Sequence, residues 1–183
     1  MADHQPSPPN PHLRRALKRL SRLEVAHRLV LVTAAEDSRR FAMLEGWAQR
    51  DERPFAWVSL RPEDNQIILF LMDLGRTLAE VDAQIAASFT RWMSQNGKPD
   101  AEAAVVEFIN AVSDVKFQFV LVLEGYQHIQ SQVVHQAVQQ LLDYPPPNML
   151  LVISTRHEPP LQLPRLRVRR QLLEIGLEDE LKT

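Results

Sequence analysis

Three short apolar runs limit what this chain can fold into: residues 29–32 (LVLV), 117–123 (FQFVLVL) and 149–154 (MLLVIS). Nearly continuous runs of Val, Leu, Ile and Phe, too short for a helix, belong to strands covered on both faces. The first two lead into stretches with helical spacing. Phe41, Leu44 and Ala48 follow the first. Val134, Ala137, Val138, Leu141 and Leu142 follow the second, within a helix over residues 131–144 that the Pro145-Pro146-Pro147 block ends. Two further strands are predicted at residues 54–60 (PFAWVSL), with Pro54 at the start where a missing donor matters least, and at 171–175. Strands alternating with helices imply crossover connections and a mostly parallel sheet, with functional loops at the carboxyl ends of the strands. Those ends lie at Thr33, Glu124 and Ser154 onward.

The rest of the chain supplies the covering layers. Asn65 is placed to cap a helix running through Ile68, Leu69, Met72 and Leu78, and helices are also predicted over residues 81–95 and 101–112, while Trp57 is expected in the core. Residues 1–12 carry Pro6, Pro8, Pro9 and Pro11 among polar residues, a composition that cannot offset its ordering entropy, and are expected to be a disordered tail. Residues 13–183 then form one domain. Its first helix, residues 13–23, sets Leu13, Ala16, Leu17 and Leu20 on one face against Arg14, Arg15, Lys18, Arg19 and Arg22 on the other. No aromatic residues interleave with those charges, so the basic face reads as solvated rather than as a nucleic-acid stripe.

With 183 residues there is enough chain for a full core without staples, and the absence of cysteine excludes disulfides and thiolate metal sites. A formal net charge of -2 gives no overall reason to expect nucleic acid or an anionic membrane as partner. The longest apolar run, residues 67–72, is far below the roughly 20 residues of a membrane span. A cytoplasmic location is the expectation.

The first strand runs straight into a helix, the arrangement that α/β proteins use to hold phosphate. RLVLVTAAEDSRRFAMLEGWA at residues 28–48 resembles LVLVTAPAGYGKTTLLAQWA, and DERPFAWVSL at 51–60 resembles DGRPVAWLSL. FVLVLEGYQH at 119–128 resembles FVLVLDDYH, and LVISTRHEPPLQLPRLRVRRQLLEI at 151–175 resembles LVLASRADPPLPLARLRARGQLLEI. These ordered matches resemble the ATPase module of the large LuxR-type transcription regulators related to the maltose-regulon activator, within the signal-transduction ATPases with numerous domains. The resemblance implies a three-layer α/β, P-loop NTPase-like fold with a mostly parallel five-stranded sheet.

Departures from the pattern fall on the chemistry. The second glycine of G-x-x-x-x-G-K-[ST] becomes Arg39, the lysine Arg40 and the magnesium-binding hydroxyl residue Phe41. Glycine backbone lets several N–H groups curl around phosphate, and side chains obstruct that curl. Glu36 and Asp37 add negative charge beside the intended anion. Losing three or four charge-assisted hydrogen bonds costs on the order of 6 kcal/mol, which takes a micromolar site past millimolar. The paired aspartates of the second strand end become Glu124 and Gly125, leaving no carboxylate at Gly125 to orient an attacking water, and Arg156 stands at the sensor position. Without a γ-phosphate, Arg156 is expected to pair with Glu124 or Asp37. The resemblance therefore implies a non-catalytic regulatory or interaction module with no resident cofactor, no direct nucleic-acid contact, no DNA-reading element and a protein partner, either a full-length homologous regulator or a second copy. The alternative is an ATP- or ADP-binding domain with little hydrolysis, its phosphates held at the degenerate nucleotide-site positions Arg39, Arg40, Glu124 and Arg156.

Other constellations read better as structure. His128, His135 and His157 lack H-E-x-x-H spacing, and Ser38, Ser154 and Thr155 lack a nucleophile elbow. Arg165, Arg167, Arg169 and Arg170 read as a solvated or internally paired run beside Glu174, Glu178, Asp179 and Glu180.

Overall fold

A computed structural model of the chain describes residues 11–24, 26–97 and 100–177. Its centre is a five-stranded parallel sheet of β1 (Leu29–Thr33), β2 (Phe55–Ser59), β3 (Phe119–Glu124), β4 (Met149–Thr155) and β5 (Leu172–Gly176), in spatial order β2-β3-β4-β1-β5. The three continuous apolar runs form the three inner strands. Every residue of β4 is buried, as are Leu29 to Val32 of β1 and Phe119 to Leu123 of β3. The two weaker strands are the edges.

Alternation along the strands sorts side chains onto two faces. Val30, Val32, Val120, Val122 and Val152 pack with Met43, Leu44 and Trp47 of α2 (Asp37–Ala48) and with Ala16 and Leu20 of α1 (Pro11–Leu20). On the opposite face Leu29, Leu31, Leu121, Leu123, Leu151 and Ile153 meet α3 (Ile67–Leu78), α4 (Ala83–Gln95), α5 (Ala101–Ser113), α6 (Gln132–Asp143) and α7 (Leu163–Val168). These are the three layers of an α/β fold. Asp82 caps α4 by accepting from the amides of Gln84 and Ile85, and Asp100 caps α5 by accepting from Ala103. Among the described residues no helix is long and apolar enough to cross a membrane.

Several expectations require correction. Asn65 does not cap α3, whose N-cap is Gln66; its amide nitrogen donates to the carbonyls of Pro62 and His128 at 2.9 Å, and its oxygen accepts from Gln130 at 2.6 Å and Ser131 at 2.7 Å. It thereby staples the segment after β2 to the entrance of α6. Phe117 lies outside β3 and is exposed. Trp57 is half-buried rather than core, because β2 is an edge strand and α2 covers only part of it. The α7 turn was not predicted, although Pro164 in its first turn is a helix-start signal. Residues 1–10 of the expected tail lie outside the described residues, while Pro11 and His12 belong to α1.

Behind the sheet, Tyr126 and His135 form a buried polar pair, the phenol oxygen 3.0 Å from His135 Nδ1. Burial holds the imidazole below its ordinary 6.5 and pushes the phenol above its usual range. The folded chain resists protonating His135 while the unfolded chain accepts the proton near 6.5. This contribution is therefore present above that pH and is lost as pH falls through the folded value. Urea midpoints at pH 7.5 and 5.5 should show the loss, and His135→Phe should flatten it; an undiminished slope would place its origin elsewhere.

Candidate functional site

The carboxyl ends of β1, β3 and β4 meet at one corner, where the chain leaves β1 through Ala34, Ala35 and Glu36 and enters α2. Pairing in register places Val32 beside Ser154 and Ser154 beside Glu124, so all three lie on the face that α2 covers. Into this corner α2 directs Arg40, only 1% exposed and among the largest fully buried side chains in the protein. Its Nε donates to Ser154 Oγ at 3.0 Å, and its two terminal nitrogens donate to the Ala34 carbonyl and the Asp37 carboxylate. A planar guanidinium suits this position because its fork of donors answers three acceptors from three directions.

Asp37 is the second organising group. It opens α2, where a carboxylate is favoured by the helix dipole, and also accepts from Arg156 beyond β4, at 2.9 Å from Nη2 and 3.3 Å from Nε. The hydrogen bond from Arg156 does most to hold the Asp37 carboxyl below the usual carboxylate range; burial opposes it, and the hydrogen bond from Arg40 adds to it. Arg156 and Asp37 are each about half exposed, at 51% and 52%, so solvent screens their pair while Arg40 remains sealed beneath.

Glu124 is half-buried at the end of β3, and burial raises its carboxyl above the ordinary value, partly countered by the charge of Arg40. Gly125 follows with φ 76°, the left-handed region, and a Cβ there would stand 3.1 Å from the Leu60 carbonyl oxygen. The change from the aspartate of the resembled pattern therefore reaches beyond a lost carboxylate, since the backbone has taken a form that favours glycine.

Of the four positions singled out in the sequence, Arg40 and Arg156 converge through Asp37, and Glu124 lies within the influence of Arg40's charge. Arg39 points elsewhere, its Nε donating to Glu36 at 3.0 Å. Glu36 is the N-cap residue of α2 but makes no side-chain cap, and Phe41 is 45% exposed, leaning on Trp57 with ring centroids 6.1 Å apart. Of the two partners expected for Arg156, the structure pairs it with Asp37. The further bridge from Asp37 to Arg40 and the acceptor role of Ser154 have only a weak signal in sequence, because only the fold brings residue 154 to residue 40. The three histidines do not converge: His135 is buried with Tyr126, while His128 and His157 are exposed.

Comparison with solved structures places this architecture among the P-loop ATPase-type α/β folds. The structure of Cdc6p from Pyrobaculum aerophilum superposes with a TM-score of 0.58 at 11% identity, covering 93% of this chain and 48% of that one. A Walker-type ATPase of Pyrococcus abyssi gives 0.51 at 12% identity, covering 92% of this chain and 53% of that one. In sequence the chain is related to the HTH-type transcriptional regulator MalT. It is 29% identical to that of Klebsiella pneumoniae subsp. pneumoniae over 150 residues, 82% of this chain, and 28% identical to that of Serratia proteamaculans over 152 residues, 83% of this chain. It spans only 16% and 17% of the length of those two regulators. No protein-family model matches the chain.

Proposed function

We propose that this chain is a non-catalytic, P-loop-type regulatory module whose nucleotide corner is closed by its own side chains. The observation that carries the reading is Arg40, buried in the corner and satisfied from Ser154, Ala34 and Asp37. A nucleotide would need to displace these internal partners and bring its phosphates beside Glu36 and Asp37. Asp37 plays the anion for Arg156, so the loop after β4 is tied to the start of α2 by an internal carboxylate. Such a tie holds in one arrangement a pair of segments that a bound phosphate would otherwise connect, and the module presents a constant surface to a protein partner. The relationship to MalT regulators directs that reading toward a homologous regulator or a second copy of the chain, in the cytoplasm, with no direct contact to nucleic acid.

A second reading has one observation in its favour. Two guanidinium groups already converge on a carboxylate, and an ATP or ADP phosphate could replace it.

Turnover and binding together separate the two. The purified chain should show no magnesium-dependent ATPase activity, and millimolar ATP should raise the melting temperature hardly at all, since a ligand at its dissociation constant contributes only about 0.4 kcal/mol. Turnover abolished by Glu124→Gln, or a shift of many degrees at micromolar ATP, would overturn the proposal.

A further inference from the structure

Away from the corner, the end of α7 turns through an arginine at a position that favours glycine. Arg170 has φ 54°, the one non-glycine residue with positive φ among the described residues. It closes α7 in the paired arrangement of a Schellman motif, with the Gln171 amide bonded to the Leu166 carbonyl at 2.9 Å and the Arg170 amide bonded to the Arg167 carbonyl at 3.1 Å. Glycine serves that position without strain, so an exposed arginine there bears a steric cost.

Its neighbours share its chemistry. Arg167 is bonded at the surface to both Glu158 and Glu174, whereas Arg165, among the described residues, meets only the neutral Gln162. Among the described residues, Arg169 and Arg170 make no ion pair. Arg165 and Arg169 border a groove between α6 and α7 that Leu142, Leu166, Tyr144 and Pro145 also line. Its one carboxylate, Asp143, accepts from Gln139 at 3.1 Å. Tyr144 is 72% exposed, and Val168, between the arginines in sequence, is 85% exposed, the most exposed large hydrophobic residue described.

We propose that the groove between α6 and α7, with Arg165, Arg169 and Arg170, is a docking site for an acidic, apolar-studded segment of a protein partner. Charge complementarity sets the sign of the occupant. The open side chains of Tyr144 and Val168 favour leucine-like side chains between its carboxylates, as expected of a protein. A nucleic-acid backbone would be matched instead by a longer track of cations and would leave Val168 unused. The proposal rests on the reading of the chain as an interaction module, but it concerns the amino ends of the strands, remote from the nucleotide corner.

Fluorescence anisotropy of the full chain with a labelled amphipathic peptide of Glu and Leu tests it, with polyglutamate and a DNA duplex as comparison probes. The peptide should bind salt-dependently and more tightly than either comparison probe, and Arg169→Glu with Arg170→Glu should weaken it by about tenfold or more. Val168→Ser should weaken it about threefold. Arg170→Gly should separate the two roles of that residue, raising the melting temperature by about 2 °C through relief of strain while lowering peptide affinity. Absence of peptide binding, binding indifferent to the double reversal, or equally tight binding of the duplex would overturn the proposal. So would peptide binding seen only after removal of residues 178–183, which would make the chain's own acidic end the occupant. Each of these results leaves the nucleotide measurements unaffected, so this site and the closed corner fail separately.

Discussion

Arg40→Met is expected to lower the stability of the chain by about 3 kcal/mol. Methionine replaces much of the arginine stem, so the change chiefly tests the guanidinium. Its removal leaves the Ser154 hydroxyl and the Ala34 carbonyl without their donor in a buried corner, each at a cost of about 1–3 kcal/mol. The Asp37 end costs less, because that carboxylate is half exposed and keeps Arg156. Glu124 also loses the charge that moderates its burial, and its carboxyl should move further upward. Urea denaturation measures the loss, and Arg39→Met provides the control, since its pair with Glu36 is at the surface. Equal stability of Arg40→Met and the unaltered chain would mean that the guanidinium is not a structural part of the corner.

Restoring the loop pattern through Asp37→Gly, Arg39→Gly, Arg40→Lys and Phe41→Thr should make the empty protein less stable by about 3–4 kcal/mol. Two glycines enter the first turn of α2, where each weakens the helix by roughly 0.8–1 kcal/mol relative to alanine. Lysine keeps the charge but cannot reproduce the fork that reaches Ser154, Ala34 and Asp37 together. Without Asp37, Arg156 also loses its carboxylate. Phe41 contributes less than its size suggests, because it is nearly half exposed and forfeits mainly its contact with Trp57. An empty restored-loop variant as stable as the present chain would contradict a structural role for the filled corner.

Much of the fold could be read from the sequence because the inner strands of a parallel sheet have an unmistakable composition. Residues 29–32, 119–123 and 149–154 are apolar at nearly every position, and each run carries Val, which sets them apart from the equally apolar run 67–72 that opens α3. Edges were harder. Phe55 and Trp57 look like core residues in sequence, yet their strand has a neighbour on one side only, and aromatic side chains there stay partly open. Asn65 was legible as a hydrogen-bonding residue but not as a staple, since three of its four partners are more than sixty residues away. At the corner, the substitutions at residues 39–41 were visible at once, but the consequence was not. Sequence presented Arg39, Arg40 and Phe41 as three obstructions, whereas the fold buries Arg40, leaves Arg39 with Glu36 at the surface and half exposes Phe41. Helical rotation decides between those fates.

The corner's filling by its own arginine is tested most directly by isothermal titration of the unaltered chain with magnesium ATP. The account predicts no saturable heat up to millimolar nucleotide, because Arg40 is already satisfied and Asp37 repels the incoming phosphates. A micromolar dissociation constant, lost in Arg40→Met, would contradict it and would make Arg40 a phosphate ligand instead of an internal plug.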